Sequence, residues 1–174
     1  MRVIAGDLGG RRIQSPTGST IRPTSDRVRE SIFNALFSMG VLEAATVMDL
    51  FAGTGALGIE ALSRGAAHCT FVDHDPDAIA LLQANLASLG ISDRATVVRA
   101  DALTHARRSG PVELALADPP YRFDGYGELG AAVDADLLVV EADGPVDLGA
   151  GWEVVKERAY GTTVVAYARR VTKA

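Results

Sequence analysis

The sequence predicts an α/β fold in which a mostly parallel sheet carries helices on both faces. Between residues 46 and 141, apolar segments with strand periodicity alternate with segments of helical periodicity, and repeated βα units of this kind form parallel sheets. The last two segments, 152–158 and 162–168, alternate around Tyr160-Gly161 and predict an antiparallel hairpin at one edge of that sheet. At the other end of the chain, Gly9-Gly10 predicts a small N-terminal β-hairpin, which a helix follows.

The N-terminal part is predicted to contain strands at 2–5 and 10–14, a loop at 15–20 and then the helix. The possible N-cap residues of this helix are Thr24, Ser25 and Asp26. Its apolar residues follow at helical spacing: Val28, Ile32, Phe33 and Leu36. Gly40 can end it. We therefore expect residues 1–22 to form a hairpin and basic arm, and residues 23–174 to form one compact unit.

The alternating part begins at residue 46. Its predicted strands are 46–51, 69–73, 95–100, 114–117 and 137–141. Its predicted helices are 56–64, 76–89 and 103–108. Pro76 suits the first position of the second of these helices, and Gly90 suits its end.

Length and composition exclude several classes of protein. The 174 residues are enough for one domain and hardly for two. No run of 18 apolar residues predicts a membrane span, and the N-terminus lacks the apolar block of a signal peptide. The single cysteine, Cys69, excludes an internal disulfide and is expected to be buried and inert. The three histidines show no metal-ligand spacing, so we expect no metal, and we expect a cytoplasmic monomer.

Charge is distributed unevenly along the chain. The net charge of −5 argues against a nucleic-acid binder, but residues 1–34 carry six arginines against three acidic residues. A basic N-terminal arm on an acidic body can dock phosphate groups, and a solvated arginine-rich surface is the alternative. The charge pattern therefore leaves an RNA-binding arm open without establishing it.

The segment Asp118-Pro119-Pro120-Tyr121 is the most informative stretch of the chain. It follows an apolar strand, and open α/β sheets bind ligands at the carboxyl ends of their strands. The two prolines lack N–H groups and fix φ at about −65°. We therefore expect the backbone carbonyls of this turn to point outward unpaired. A carboxylate, bare carbonyls and an aromatic ring in one rigid turn suit a planar molecule with an exocyclic NH2 group.

A glycine-rich turn predicts a second site feature. Gly53, Gly55 and Gly58 satisfy the G-x-G-x-x-G pattern between a strand and a helix, and Asp73 follows at the distance expected of a ribose-binding acid. Glycines let the backbone approach a ligand closely, and the helix N-terminus offers free N–H groups. Taken alone, this pattern also fits a nicotinamide dinucleotide.

Two further acidic residues favour S-adenosylmethionine over a dinucleotide. Asp49 lies within the strand before the turn, where a carboxylate can hold an ammonium group but would sit poorly beside a pyrophosphate. Asp101 stands at the end of the predicted strand 95–100. There its carboxylate can accept a hydrogen bond from an adenine amino group, and the Ala102 N–H can donate one to a ring nitrogen. A helix N-cap is the structural alternative for Asp101.

Together these residues resemble the motif series of class I S-adenosylmethionine-dependent methyltransferases, which share a Rossmann-like sheet. The Asp-Pro-Pro-Tyr segment is similar to that of enzymes methylating exocyclic or amide nitrogens. The segments 22–34, 9–11 and 60–66 resemble the RsmD family more specifically, and the likeness runs from about residue 2 to residue 168. The stretch 123–136 looks short for that family, so we expect a truncated helix after the proline turn.

The resemblance implies methyl transfer to N2 of one guanine in 16S ribosomal RNA, within a small-subunit particle or assembly intermediate. The catalytic residues it implies are Asp118, Pro119, Pro120 and Tyr121. The cofactor-binding residues are Asp49, Phe51, Gly53, Gly55, Asp73, Asp101 and Ala102. The RNA-binding residues are Arg11, Arg12, Arg22, Arg27 and Arg29.

Four other functions stay compatible with parts of the sequence. An adenine-N6 methyltransferase makes the same demands on the proline turn, and a protein-glutamine methyltransferase would need no basic arm. A nicotinamide-dependent oxidoreductase explains the glycine turn but leaves Asp118 to Tyr121 without a role. A non-catalytic RNA-binding protein could retain the cofactor fold.

Overall fold

A computed structural model describes residues 1–16 and 25–171 of the chain. Within them lies a sheet of seven strands: β1 (Thr46–Leu50), β2 (His68–Asp73), β3 (Ala95–Arg99), β4 (Val112–Ala117), β5 (Ala135–Ala142), β6 (Trp152–Tyr160) and β7 (Thr163–Arg170). Their spatial order is β3-β2-β1-β4-β5-β7-β6. Strands β1 to β5 pair in parallel, whereas β7 runs antiparallel to both β5 and β6. The predicted fold class, a mostly parallel sheet ending in an antiparallel hairpin, is confirmed.

Helices cover both faces of the sheet. The described α-helices are α1 (Asp26–Ser38), α2 (Ala56–Ser63), α3 (Pro76–Leu89), α4 (Ala102–Ala106) and α5 (Tyr126–Ala132). Alternate residues of the central strands are buried on opposite faces, which gives one core with α1, α2 and α3 and a second with α4 and α5. Among the described helices, none is long and apolar enough to cross a membrane.

The elements after residue 45 lie where the sequence predicts them, with ends that differ by at most two residues. Helix α3 has the predicted bounds, since Pro76 opens it behind the N-cap Asp75 and Gly90 closes it with φ near +72°. The exception is α5, a seven-residue helix for which the residue pattern gave no bounds. It lies in the stretch that looked short for the family, so a short helix does follow the proline turn.

The predicted N-terminal hairpin is short. It has one antiparallel bridge, between Arg2 and Arg12, and its arms are joined by backbone hydrogen bonds such as Val3 N–H to the Arg11 carbonyl at 2.9 Å, but the regular strands 2–5 and 10–14 do not form. Beyond the bridge, Ile4 and Ala5 donate to the Glu60 carboxylate of α2, with N···O distances of 2.8 and 3.1 Å. Residues 1–16 are therefore held both by the hairpin bonds and by the helical layer.

Helix α1 begins behind Ser25, whose Oγ accepts a hydrogen bond from the Val28 amide at 3.2 Å. Of the three predicted N-cap residues, Ser25 is the one that caps the helix. Asp26 lies in its first turn, and Thr24 is outside the described residues.

Candidate active site

The carboxyl ends of four neighbouring strands meet at one edge of the sheet. In the spatial order β3, β2, β1 and β4, these strands lead into Asp101, Asp73, Phe51 and Asp118. Neighbouring strands are about 4.8 Å apart, so residues far apart in the sequence become neighbours along this edge. The fold therefore gathers the predicted cofactor and catalytic residues on one side of the molecule.

Asp73 holds the glycine turn in place. Its Oδ2 accepts a hydrogen bond from the Gly53 amide at 2.8 Å, and its Oδ1 accepts one from the Asp75 amide at 2.9 Å. Because backbone amides fix both carboxylate oxygens, the side chain has one orientation at the end of β2. A rigid acceptor at this position suits the ribose hydroxyls of an adenosine ligand.

The three glycines of the turn serve two different purposes. A Cβ on Gly55 would lie 2.3 Å from a Leu82 methyl group, and one on Gly58 would lie 2.3 Å from the Phe71 ring. Gly55 therefore lets α3 pack closely on the turn, and Gly58 lets α2 pack closely on β2. Gly53 has a φ of +55°, and no described atom lies within 4 Å of the position its Cβ would take. Open space beside Gly53 is what a ligand approaching the backbone needs.

Asp49 is a buried carboxylate in the middle of this edge. Its side chain is 1% exposed, and its Oδ2 accepts a hydrogen bond from the Gly58 amide at 2.9 Å. Burial raises the pKa of Asp49 well above its ordinary value, and the negative charges of Asp118 and Asp73 raise it further, against the opposing effect of the Gly58 amide. A cation bound here would stabilise the carboxylate, so the site fits an ammonium group.

Asp49→Asn is expected to weaken binding of S-adenosylmethionine about 10- to 150-fold, because a hydrogen bond to a charged group contributes about 1.5–3 kcal/mol. The ligand-free variant is expected to be at least as stable as the wild type at pH 7. A carboxyl whose folded pKa is raised loses stability as the pH rises above its unfolded pKa, and asparagine removes this loss. Isothermal titration calorimetry and thermal unfolding measure the two effects.

Asp77→Asn is the matched control, since Asp77 is an exposed carboxylate in the first turn of α3. It is expected to leave the affinity unchanged. Equal affinities of the Asp49→Asn variant and the wild type would contradict the assignment of Asp49 to an ammonium group.

Asn85 is a site-supporting residue that the sequence analysis missed. Its buried side chain donates to the carbonyls of Gln14 and Thr54 at 3.1 and 3.0 Å, and accepts from the Gln14 amide at 2.8 Å. It thus fixes the glycine turn to the N-terminal segment. The available signal was an amide side chain on the buried stripe of α3, three residues after Leu82 and four before Leu89.

Asp101 caps helix α4. Its Oδ1 accepts a hydrogen bond from the Thr104 amide at 2.8 Å, and hydrogen bonding to Thr104 lowers the pKa of this exposed carboxyl. Ala102 follows as a buried first residue of the helix. Asp101 therefore has the N-cap role that was the structural alternative. Contact of Asp101 and Ala102 with an adenine ring stays a prediction.

The proline turn after β4 is rigid and partly open. Pro119 is buried, while Pro120 is exposed and the Tyr121 side chain is 79% exposed. The expectation of unpaired carbonyls is wrong for Pro120, whose oxygen accepts a hydrogen bond from the Phe123 amide at 3.1 Å and closes the turn. Arg122 adopts a φ of +63°, and its amide donates to Asp143 at 3.2 Å. The turn therefore presents Tyr121 to solvent on a fixed backbone.

An aromatic cluster lies between the glycine turn and the proline turn. The Phe51 and Phe123 rings are 5.5 Å apart between centroids, and the Phe123 and Tyr126 rings are 5.1 Å apart, both edge to face. Burial raises the pKa of Tyr126, as do the negative charges of Asp143 and Asp118. Phe51 was predicted as a site residue, whereas Phe123 and Tyr126 were not, although both follow Tyr121 within five residues.

The predicted RNA-binding arginines differ in whether their side chains are exposed and free to contact RNA or are bound within the protein. Arg12 and Arg27 are exposed, and the Arg11 guanidinium donates to the Leu89 and Ser88 carbonyls at the end of α3. The prediction that Arg29 binds RNA is wrong, because its side chain is fully buried beside Glu60. Arg29 is therefore removed from the phosphate-binding set, and Arg22 lies outside the described residues.

Solved structures with the same fold define the class of protein. The structure of yhhF from Escherichia coli matches with a TM-score of 0.84 and 34% identity, over 98% of this chain and 97% of that one. An RNA methyltransferase from Salinibacter ruber, crystallised with S-adenosyl-L-homocysteine, shares the fold at a TM-score of 0.67 and 18% identity, over 88% and 97% of the two chains. The architecture is that of the class I Rossmann-like methyltransferases.

The sequence comparisons give the family. Residues 1–169 match the family model described as conserved hypothetical protein 95. The ribosomal RNA small subunit methyltransferase D of Escherichia coli K12 is 36% identical over 178 residues, which cover 96% of this chain and 87% of that protein. The chain belongs to this family, the RsmD family of methyltransferases, and the resemblance inferred from the motifs is confirmed.

Proposed function

We propose that this chain transfers a methyl group from S-adenosylmethionine to the exocyclic N2 of a guanine in small-subunit (16S) ribosomal RNA. The observation that carries the proposal is the position of the Asp118–Tyr121 turn, which ends β4 directly beside β1 and its glycine turn. The Escherichia coli relative bears the name of a small-subunit ribosomal RNA methyltransferase, which supports the same substrate for this chain.

The residues of the strand edge fit S-adenosylmethionine. The buried Asp49 carboxylate, with two further carboxylates near it, would bind the methionine ammonium group. The open face of Gly53 leaves room for the ligand beside the backbone, and Asp73 would accept hydrogen bonds from the ribose hydroxyls. Asp101 and Ala102 would contact the adenine from the end of β3.

The proline turn fits the target base. Asp118 and the Pro119 carbonyl would accept the two N–H groups of guanine N2, and the exposed Tyr121 ring would stack on the base. A stacked base contributes about 1–3 kcal/mol on aromatic platforms of this kind. The guanine must leave its own stack to enter such a site, so unpaired or mismatched positions in the RNA are favoured.

The chain's own groups assist transfer by position and charge. When bound, S-adenosylmethionine supplies a methyl group on a positively charged sulfur. The guanine N2 lone pair is delocalised into the ring, and hydrogen bonds to Asp118 and Pro119 bias this nitrogen toward a tetrahedral geometry. The Asp118 carboxylate also stabilises the positive charge that develops on N2 before a proton leaves. Holding both reactants in line supplies much of the acceleration.

The exposed arginines would position the RNA. Arg12 and Arg27 can bind phosphate groups, which fix orientation but do not read the sequence. Specificity for one guanine would then come from the RNA fold or from ribosomal proteins. Such a substrate would place the chain in the cytoplasm, and we expect it to act as a monomer on a small-subunit particle or an assembly intermediate.

Transfer of tritium from labelled S-adenosylmethionine tests the proposal. The substrates are small-subunit particles and naked 16S RNA from a bacterial strain that lacks its own enzyme of this family. We expect labelled N2-methylguanosine after digestion to nucleosides. Labelled N6-methyladenosine, label in protein, or no transfer to either substrate would contradict the proposal, and comparing the two substrates shows whether the assembled particle is required.

A further inference from the structure

The terminal hairpin places two cations beside helix α1. In the register of β6 and β7, Lys156 lies opposite Tyr167, and Arg158 lies opposite Val165. Directly opposed residues share a face of the sheet, and both Tyr167 and Val165 belong to the core that contains α1. The Lys156 ammonium lies 5.7 Å from the centroid of the Tyr167 ring, which agrees with this placement.

A hydrogen bond joins helix and hairpin at the same place. The Ser31 hydroxyl of α1 bonds the Tyr160 hydroxyl at the end of β6. Arg27 lies one helical turn before Ser31 and therefore on the same side of α1. Arg27 and Arg158 are exposed. We give the name α1–β6 cleft to the surface where these two elements meet, which is formed by Arg27, Ser31, Lys156, Arg158 and Tyr160.

The cleft opens at the edge of the sheet that carries the site. Ala142, the last residue of β5, pairs with Val164 near the start of β7, so the β6–β7 turn lies beside the carboxyl ends of the parallel strands. Three strand spacings separate β4 from β6, which is about 14 Å. A short stretch of nucleic acid therefore reaches from the proline turn to the cleft.

One acidic side chain shares the face of the two cations. Glu141 of β5 lies opposite Val165 on one side, as Arg158 does on the other. Glu157 pairs with Ala166 and so belongs to the opposite face of the sheet. Glu30 of α1 is about 100° around the helix axis from Ser31 but lies one turn from Arg27. Three cations (Arg27, Lys156 and Arg158) thus outnumber Glu141 and Glu30 at the α1–β6 cleft, on a chain whose net charge is −5.

We propose that the α1–β6 cleft binds the phosphate backbone of the substrate RNA through Lys156 and Arg158, and extends the phosphate contact of Arg27. This inference rests on RNA as the substrate and assigns to the terminal hairpin a role in holding it. Lys156 and Arg158 would position RNA at a distance from the reacting base, so they affect binding rather than the chemical step.

The double variant Lys156→Gln plus Arg158→Gln tests the proposal, because glutamine keeps most of the side-chain stems that cover Tyr167. The probe is a fluorescently labelled transcript of 16S RNA, whose affinity is measured from about 50 to 300 mM salt. Each lost phosphate contact reduces the slope of log K against log salt by about 0.7–0.9. We therefore expect the double variant to lower the slope by about 1.4–1.8, to raise KM and to leave kcat unchanged.

Two matched controls separate this effect from a change in net charge. Arg169→Gln removes an exposed cation from the same hairpin at the opposite end of the sheet, and Glu157→Gln removes a charge from the opposite face. Both are expected to keep the wild-type slope. If the double variant does not fold, each single substitution is expected to lower the slope by about half as much.

A wild-type slope in the folded double variant, or equal losses in the Arg169→Gln control, would overturn the proposal. A wrong proposed function would give a different result. The wild type would then transfer no methyl group to guanine, whatever its affinity for RNA.

Discussion

Replacing Asp118 with alanine is expected to lower the rate of methyl transfer at least 100-fold while cofactor affinity stays within a few-fold of the wild type. The carboxylate follows β4 at the centre of the strand edge, where the turn Asp118-Pro119-Pro120-Tyr121 begins. Losing one preorganised group that faces developing charge typically costs 10²- to 10³-fold in rate, about 2.7–4 kcal/mol. Single-turnover transfer to small-subunit particles and calorimetric titration with S-adenosylmethionine measure the two quantities.

Two further variants sharpen this test. Asp118→Asn keeps one acceptor oxygen but loses the charge, so its rate is expected to lie between those of the wild type and Asp118→Ala. Asp124→Ala removes an exposed carboxylate six residues further on and is expected to have no effect. Near-normal turnover of folded Asp118→Ala would remove Asp118 from the mechanism, whereas a parallel loss of cofactor affinity would indicate that it holds the cofactor instead.

The parallel sheet was predictable because local signals mark each of its elements. A glycine follows the end of α1, α2 and α3 within two residues, and apolar periodicity distinguishes the strands from the helices between them. Helix α3 has its predicted bounds because Pro76 and Gly90 fix both of its ends through backbone geometry alone. The site was predictable for the same reason, since parallel strands bring Asp49, Asp73 and Asp118 to one edge whatever the lengths of the loops.

Long-range contacts explain the predictions that were wrong. The N-terminal strands looked plausible locally, but the Ile4 and Ala5 amides bind a carboxylate more than fifty residues away in the sequence. Arg29 was predicted to bind RNA, whereas Glu60, a buried acidic partner on α2, holds it in the core. A single sequence gives no information about which charged residues pair inside the protein.

The aromatic cluster escaped prediction because α5 is short and contains glycine. Its sequence, Tyr126–Ala132, has two glycines among seven residues, which gives a weak helical pattern. The chain folds there because Phe123 and Tyr126 pack against each other and, through Phe123, against Phe51. Tertiary packing thus decides the local structure. It also fixes the aromatic rings that lie between the glycine turn and the proline turn.

Glu60→Ala is expected to lower the free energy of unfolding by about 3–5 kcal/mol, the typical cost of removing one partner of a buried ion pair. Glu60 is fully buried and accepts hydrogen bonds from the Ile4 and Ala5 amides and from Arg64 Nε, the last at 2.7 Å. Arg29 Nε lies 3.8 Å away. Alanine would leave the buried Arg29 charge without this partner and two backbone donors unpaired. Thermal unfolding is expected to shift by roughly 10 °C.

Arg29→Met removes the ion pair together with the hydrogen bonds from Arg29 to the Arg2 carbonyl and the Met1 sulfur, but it keeps the Glu60 acceptor. It is expected to cost less than Glu60→Ala, because Glu60 keeps Arg64 and both backbone amides as partners. Glu30→Ala, an exposed change on α1, is expected to alter stability by less than about 0.5 kcal/mol. Limited proteolysis should cut residues 1–16 faster in Glu60→Ala, which frees the Ile4 and Ala5 amides, than in Arg29→Met, which frees only the chain end at Met1 and Arg2. Equal stability of Glu60→Ala and Glu30→Ala would show that the N-terminal segment is held by its apolar contacts instead.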